Sequence, residues 1–178
     1  ERDPDNVLWH WHQGLTLAAQ LKFEDAIREY DVVIAMRDEG RVAPAHRQDL
    51  DSVFLKIGNC YRNLAGGLPA ADPERARLFG LAQENIERYV SMYPKNAVGH
   101  KWLGHLHYPD LERPYAAIPH FEQAFALDPD CDSSLRSLTQ IYARYPAPEV
   151  EGESEADAEK RQAAWRAQGK AYEKDLEE

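Results

Sequence analysis

The most informative part of this 178-residue chain is HKWLGHLHYPDLERPYAAIPHFEQAFALDP, residues 100–129. Apolar and small residues recur there three and four positions apart on either side of a Pro-Asp turn, which is typical of two amphipathic helices. Gly104 stands in the first of them, and in the second Ala117 is followed four residues later by Phe121. An Asp-Pro dipeptide ends the stretch. We therefore predict a pair of packed helices.

The same pattern recurs around Gly14 and Gly58, with a weaker copy around Thr139. Self-similarity of this kind is the signature of repeat proteins. In such an array, small residues let the two helices of a hairpin approach closely, and large residues fill the space between hairpins. Downstream of both glycines a small residue again precedes a large one by four positions, in the pairs Ala26 with Tyr30 and Ala82 with Ile86.

These positions resemble the tetratricopeptide repeat (TPR), whose first helix carries Trp, Leu-Gly and Tyr and whose second carries Ala, Phe and a terminal Pro. The best match is the unit that contains Trp102-Leu103-Gly104. The resemblance implies an all-α fold, in which about three to four TPR-like hairpins form a right-handed superhelix. Within one domain spanning 1–178, the repeats are expected at approximately 7–45, 51–95, 97–130 and 132–144.

The chain departs from the family in its spacing, because its glycines lie 44 and 46 residues apart where the family repeats every 34 or so. We interpret 65–73 as an insertion between paired helices and 38–47 as an extension between the first two units. Residues 145–153 form a Pro- and Glu-rich linker. The segment 154–176 is predicted to be a helix that caps the last repeat, with Ala158, Trp165, Tyr172 and Leu176 on one face.

Helical periodicity covers most of the remaining chain. One run extends from Val7 to Arg37 with a break near Leu21, and a second covers 46–64. Asp72 can cap a helix that Pro73 opens, and Ser154 can cap the last one. No segment alternates with a period of two residues, so strands are not expected.

Charge excludes some classes of function. The chain has 31 acidic and 21 basic residues, a net charge of −10, which argues against coating nucleic acid or anionic lipid. No stretch approaches the ~20 apolar residues of a transmembrane helix. Two cysteines, Cys60 and Cys131, exclude a disulfide scaffold and a cysteine-only zinc site. Cys60 follows Gly58 closely and is expected to be inert in the core.

The chain begins with Glu-Arg-Asp-Pro, without an initiator Met or a signal peptide. We therefore expect it to be processed or trimmed. The cytoplasm is the favoured compartment, and the periplasm is the alternative.

The resemblance also implies a function, because first helices of successive repeats line a concave groove that takes a peptide or a partner helix. One end of this groove would be apolar and the rest polar and basic, which favours an acidic or amide-rich peptide. Only Asn59 and Lys101 match the carboxylate-clamping set of chaperone-binding members, so clamping of that type is not expected. Carried over by position, the partner-binding residues are Trp11, Leu15, Asn59, Arg62, Asn63, Lys101, His105, Tyr108, Arg136, Gln140 and Arg144.

Metal and catalytic motifs are absent from the sequence. His10 and His12 are two residues apart, as are His105 and His107, and such pairs point in different directions on a helix. His100 and His107 are expected to be packing residues of the repeat. HExxH, Walker, GxSxG and GxGxxG motifs do not occur. We expect no metal, no cofactor and no enzymatic activity.

The predicted function is a non-enzymatic protein–protein interaction scaffold or adaptor, with a protein or peptide partner and no nucleic acid. Its oligomeric state stays open. The alternative is a carrier of a small apolar ligand such as a lipid. Its pocket would be closed by the insertions and would use the apolar first unit, Leu8, Trp9, Trp11 and Leu15.

Overall fold

A computed structural model describes residues 6–42 and 46–177. Every regular element of these residues is helical, which confirms the all-α class for the described part of the chain. A π-helical turn at Leu106–Asp110 follows α6. The α-helices are α1 Val7–Ala19, α2 Phe23–Asp38, α3 Arg47–Asp51, α4 Val53–Gly66, α5 Pro73–Met92, α6 Ala97–His105, α7 Pro114–Leu127, α8 Asp132–Arg144 and α9 Glu155–Glu177.

Two predicted helix starts are confirmed by their capping hydrogen bonds. Asp72 Oδ1 accepts a hydrogen bond from the backbone N–H of Glu74 at 2.9 Å, immediately before α5. Ser154 Oγ accepts from the backbone N–H of Asp157 at 3.3 Å, before α9. A side-chain acceptor at this position satisfies an N–H that has no partner within the helix.

Two helices differ from the prediction at their ends. The run predicted over 46–64 is divided at Ser52, whose hydroxyl donates to the Asp49 carbonyl at 2.7 Å and competes with the helical hydrogen bonds. The helix predicted on the N-terminal side of the Pro-Asp turn at 109–110 ends at His105. Pro109 lacks an N–H and restricts the residue before it, and Tyr108 is extended, with φ −146° and ψ 120°.

Glycines allow three helix pairs to pack closely, as predicted. A Cβ added at any of them would lie within 3.0 Å of a large side chain on the paired helix, so a larger residue would force that side chain to move. Tyr30 and Phe121 therefore fill space inside their own hairpins, and not between hairpins as the repeat pattern predicts. The three contacts are Gly14 with Tyr30, Gly58 with Ile86 and Gly104 with Phe121.

The chain forms two compact units, and the division falls between Tyr93 and Pro94. In the first unit α1 pairs with α2 and α4 with α5, and α2 also packs on α4. In the second unit α6 pairs with α7 and α8 with α9, and α7 also packs on α8. Within each unit, the second helix of one hairpin thus contacts the first helix of the next.

A buried carboxylate connects several elements of the first unit. Asp51 of α3 is only 2% exposed and accepts hydrogen bonds from the Arg37 guanidinium of α2 and from the Tyr93 hydroxyl, the latter at 2.6 Å. Arg37 also lies 5.7 Å from the centroid of the Phe54 ring on α4 and donates to the Met92 sulfur of α5 at 3.3 Å. This network joins the end of α2 to the second hairpin.

Aromatic side chains hold α9 in the second unit. The Trp165 ring lies 4.2 Å from the Tyr142 ring of α8, centroid to centroid, and its N–H donates to the Tyr145 carbonyl at 2.8 Å. The buried Tyr172 donates to Glu122 Oε1 of α7 at 2.8 Å. A helix is therefore present in the segment predicted as a cap, and it packs on the core of the second unit through Trp165, Tyr172 and Leu176.

Candidate binding surfaces

The apolar residues predicted for partner binding lie on α1. Trp11 and Leu15 are both half-buried there. The Trp11 ring lies 5.9 Å from the Tyr30 ring of α2, centroid to centroid, so the indole also packs within its own hairpin. Leu8, one turn earlier, is 41% exposed. This helix therefore presents a partly exposed apolar surface.

The polar residues predicted for the second repeat lie on α4. Asn59 and Arg62 are half-buried, and Asn63 is exposed. The Asn63 amide donates to the Asn59 backbone carbonyl at 2.8 Å and to its side-chain oxygen at 3.3 Å. The structure therefore brings these two amides together one turn apart.

Two further predicted residues lie on α6 in the second unit. Lys101 and His105 are half-buried. The His105 ring meets the Phe121 ring of α7 edge-on, with centroids 5.1 Å apart and planes at 73°. His105 is thus partly committed to packing within its hairpin.

The remaining predicted residues are on α8, except for Tyr108. Arg136, Gln140 and Arg144 are exposed and lie four residues apart. Tyr108 was expected on the same surface, but it is 6% exposed, because the extended backbone before the proline places its ring in the core of the unit. Its hydroxyl still accepts a hydrogen bond from Arg144 Nη1 at 3.3 Å.

The predicted partner-binding residues are divided between the two units. Each unit therefore carries its own set of these residues, mainly apolar and amide-bearing in the first and mainly basic in the second. The first unit carries Trp11, Leu15, Asn59, Arg62 and Asn63, and the second carries Lys101, His105, Tyr108, Arg136, Gln140 and Arg144.

His10 and His12 point in different directions, as predicted. His10 is 8% exposed, and its Nδ1 lies 2.7 Å from Glu29 Oε2 on α2. His12 is exposed. The two imidazoles therefore do not converge on one site.

Three histidines of the second unit stack their rings. The centroids of His107 and His120 are 5.3 Å apart with planes at 10°, and those of His100 and His120 are 6.3 Å apart with planes at 26°. His107 is 8% exposed, in agreement with a packing role. Over residues 6–42 and 46–177, no group of three His, Cys, Asp or Glu side chains is placed to hold a metal ion.

A cavity of about 430 Å³ opens in the first unit among α2, α4, α5 and the loop between the last two. Ile27 and Leu78 at its wall are 8% and 7% exposed. Leu68 comes from the segment predicted as an insertion, so that segment does help to form a pocket. The apolar residues predicted for a carrier, Leu8, Trp9, Trp11 and Leu15, do not line it. Its apolar and aromatic lining consists of Ile27, Tyr61, Leu64, Leu68 and Leu78.

Four charged residues surround this cavity: Glu24, Arg28, Glu74 and Arg77. Arg77 Nε and Nη2 donate to the two carboxylate oxygens of Glu74 at 2.7 and 2.6 Å. This pairing lowers the pKa of the Glu74 carboxyl and raises the pKa of the Arg77 guanidinium. Arg28 is paired with Asp25 on the same helix. Both arginines at the rim are therefore neutralised by neighbouring carboxylates.

A smaller cavity of about 280 Å³ lies between α8 and α9 in the second unit. Thr139 and Tyr142 line it from α8, and Arg166, Lys170 and Glu173 line it from α9. Its charged residues are exposed. This cavity lies beside the docked cap helix.

Both cysteines are free and buried. Cys60 is 1% exposed, which agrees with the expected core position, and burial raises the pKa of its thiol to about 11. Cys131 is 8% exposed, with its sulfur 3.2 Å from Ser134 Oγ. Neither thiol lies at an exposed surface.

Sequence reasoning associated a pocket with the insertions and the apolar first unit, not with the walls that line this cavity, and it missed the Asp51 network. The signal for the cavity was the long separation between Gly58 and Ala82, with an apolar Leu68 in the intervening loop. Nothing local indicated that Arg37, Asp51 and Tyr93 would meet, because their separations are 14 and 42 residues.

Comparison with models of known protein families finds no match, and comparison with characterised protein sequences finds none. Among the described helices, none is both long enough and apolar enough to cross a membrane.

Proposed function

We propose that this chain is a non-enzymatic scaffold of tetratricopeptide-like hairpins that binds an extended segment of a protein partner. The observation that supports this most is on α8, the first helix of the last pair. Arg136, Gln140 and Arg144 are exposed there at intervals of four residues. Residues with this spacing share one face of a helix. The face is polar and carries two arginines in a chain whose net charge is −10, and Arg136 also lies 3.9 Å from Asp132 one turn earlier.

The surface of the first unit adds to this proposal. Asn59, Arg62 and Asn63 supply amide and guanidinium groups, and Trp11 and Leu15 supply partly exposed apolar area. An acidic or amide-rich segment would pair with the arginines through charge-assisted hydrogen bonds and with the amides through neutral ones. Aromatic and arginine side chains are also the residue types that most often dominate binding energy at interfaces.

The right-handed TPR superhelix is part of this proposal. It is supported by the order of contacts within each unit, where the second helix of one hairpin packs on the first helix of the next. An experimental structure of the chain tests it. A left-handed stacking of the hairpins in either unit would contradict the resemblance.

A binding measurement with designed peptides tests the scaffold function. A fluorescent peptide of Glu, Asn and Gln is compared by polarisation, at low ionic strength, with a peptide in which Lys replaces Glu. The wild-type chain is expected to bind the acidic peptide more tightly. Arg136→Glu should weaken that binding by about fivefold, because replacing attraction by repulsion at an exposed site changes the free energy by about 1 kcal/mol. Lys101→Glu should act in the same direction.

Arg166→Glu is the matched control, because Arg166 is an exposed arginine of the same unit on α9. It makes the same change in net charge outside the proposed face. Equal losses in Arg136→Glu and Arg166→Glu would mean that only net charge matters. Unchanged binding in Arg136→Glu and Lys101→Glu would refute the assigned face.

A further inference from the structure

The cavity of the first unit has its origin in the length of the second hairpin. Helix α5 begins at Pro73, nine residues before Ala82, whereas α2 begins at Phe23, three residues before the corresponding Ala26. The C-terminal end of α4 and the N-terminal end of α5 therefore extend further beyond the contact of Gly58 with α5 than the N-terminal end of α2 extends beyond its own contact with Gly14. The cavity lies among the start of α2, the start of α5 and the end of α4.

This cavity is large enough for a small organic molecule. An apolar cavity of about 150 Å³ is sufficient to hold benzene, and ligand pockets in proteins measure roughly 300–1,000 Å³. At about 430 Å³, the cavity of the first unit falls within that range. Ile27 and Leu78 form buried parts of its wall, and Leu64 and Leu68 are half-buried, so apolar area stays exposed while the cavity contains only water. A ligand that covered this area would gain the free energy of apolar burial.

The charges around the cavity disfavour an ionised ligand. Glu74 and Arg77 neutralise each other through two hydrogen bonds, and Arg28 is paired with Asp25, while Glu24 adds a further carboxylate at the rim. A carboxylate or phosphate group would have to displace these pairs and would face Glu24. A cationic group would find Glu74 already engaged with Arg77, which leaves Glu24 as its partner at the rim. A neutral ligand displaces no ion pair, and the apolar wall favours it over a charged ligand, because burying a charge without a full set of partners is costly.

Tyr61 adds one polar group to the wall. Burial raises the pKa of its hydroxyl, and the nearby Asp31 raises it further. The hydroxyl is therefore neutral at physiological pH and can donate a hydrogen bond. A carbonyl or ether oxygen on the ligand would be a suitable acceptor.

We propose that this cavity is a binding site for an uncharged, mainly apolar small molecule with one hydrogen-bond acceptor placed toward Tyr61. The site uses α2, α4, α5 and the loop between the last two, and none of the residues assigned to partner binding. It therefore stands independently of the proposed scaffold function.

Fluorescence titration with the neutral dye N-phenylnaphthylamine tests the site in the full chain. The dye, excited directly, is expected to bind saturably with one molecule per chain. Leu68→Trp should weaken binding at least tenfold, because the indole occupies the cavity. Leu111→Trp is the matched control, since Leu111 is also half-buried in the connection between paired helices, but in the second unit. It should leave the titration unchanged.

Two further measurements make the test specific. Dodecanoate, an anionic chain, should bind at least tenfold more weakly than the dye. The neutral ketone acetonaphthone should lose about fivefold in affinity in Tyr61→Phe, because one hydrogen bond contributes about 1 kcal/mol. The dye, which has no carbonyl acceptor, should bind this variant as it binds the wild type.

Methyl NMR of Ile27 keeps the proposal testable if Leu68→Trp is poorly folded. Dye binding should shift the Ile27 methyl signals of the wild-type chain. The proposal is overturned if the dye shows no saturable binding, which is also the result expected if the cavity instead receives an apolar side chain of a protein partner. It is likewise overturned if Leu68→Trp binds the dye as the wild type does, if dodecanoate binds as tightly, or if the Ile27 signals do not move.

Discussion

The two units hold their helix pairs together by different interactions. In the first unit, Asp51 pairs with Arg37 and the Tyr93 hydroxyl at a point that is almost closed to water. In the second unit, the rings of Trp165 and Tyr142 lie 4.2 Å apart, centroid to centroid. The Glu122 carboxylate there accepts hydrogen bonds from the neutral hydroxyls of Tyr142 and Tyr172.

The two kinds of interaction make the units sensitive to different substitutions. A buried charge is costly to leave unpaired, so removal of one partner of an ion pair has a large effect. Aromatic contacts lose free energy in proportion to the apolar area that a substitution removes. The first unit should therefore respond most to changes of charge, and the second to changes of side-chain size.

The largest effect is expected for Asp51→Ala. The substitution removes the buried carboxylate from the Arg37 guanidinium, which is 19% exposed and keeps only its pair with the exposed Asp38 at 2.8 Å. The free energy of unfolding of the first unit should fall by about 3 kcal/mol. Native-state hydrogen exchange can measure this separately for amides of the two units. Exchange in α8 and α9 should not change.

Asp49→Ala is the control for this prediction, because Asp49 is an exposed carboxylate on the same short helix. It should change stability by no more than about 0.5 kcal/mol. If the two substitutions destabilise the unit equally, the burial of Asp51 does not carry the effect, and the contrast between the units fails.

Trp165→Ala should destabilise the second unit by about 2 kcal/mol. The value lies below the usual cost for a buried tryptophan because Trp165 is half-buried. Trp165→Phe keeps a ring against Tyr142 but loses the N–H that bonds the Tyr145 carbonyl at 2.8 Å. It should cost only about 1 kcal/mol. Hydrogen exchange of the α9 amides measures the loss of stability in Trp165→Ala and in Trp165→Phe. Similar losses in the two variants would indicate that the hydrogen bond, and not the ring contact, dominates.

Gly104→Ala tests a feature that the two units share. The new methyl group would clash with Phe121, which is fully buried. The cost of overpacking should exceed the gain in helix propensity, for a net loss of about 1 kcal/mol. Gly14→Ala should destabilise the first unit by a similar amount, because its methyl group would clash with Tyr30.

Gly80→Ala is the counterpart of these substitutions, because nothing lies within 4 Å of a Cβ added at Gly80, which is exposed within α5. It should stabilise the first unit by up to about 1 kcal/mol. Thermal melting gives the sign of each change. A stabilising Gly104→Ala would show that Phe121 can move at little cost.

The smallest effect concerns alkaline pH. Burial raises the pKa of Tyr93 and of Tyr142 to about 12, and the hydrogen-bonded carboxylates Asp51 and Glu122 add to the shift. An unfolded tyrosine titrates near 10. These residues therefore contribute stability below pH 10, and that contribution is lost as pH rises from about 10 to 12.

Phenolate absorbance and hydrogen exchange measure this contribution. Tyr93→Phe should remove one late-titrating group and reduce the alkaline loss of stability in the first unit alone. Tyr142→Phe should reduce that loss in the second unit alone. Titration of both hydroxyls near pH 10 in the folded chain would contradict the prediction.

The helix pairs could be predicted because their signals are local. A glycine on one helix and a large residue on the next recur three times, and Asp72 and Ser154 mark their helix starts within a few residues. The cavity could not be predicted in the same way, because its walls combine α2, α4 and α5 and depend on how far each helix extends. The burial of Tyr108 depends likewise on the backbone path before Pro109.

The two cysteines of the chain, Cys60 and Cys131, fall one in each unit, and both are shielded. Each unit thus contains one buried thiol that can react with an alkylating reagent only when that unit opens. A brief pulse of a thiol-alkylating reagent labels a half only while it is open, and the mass of the intact chain then counts how many halves had opened. Peptide mapping tells which one opened first. Without any substitution in the sequence, alkylation of the two native cysteines can report whether the units open together or one at a time.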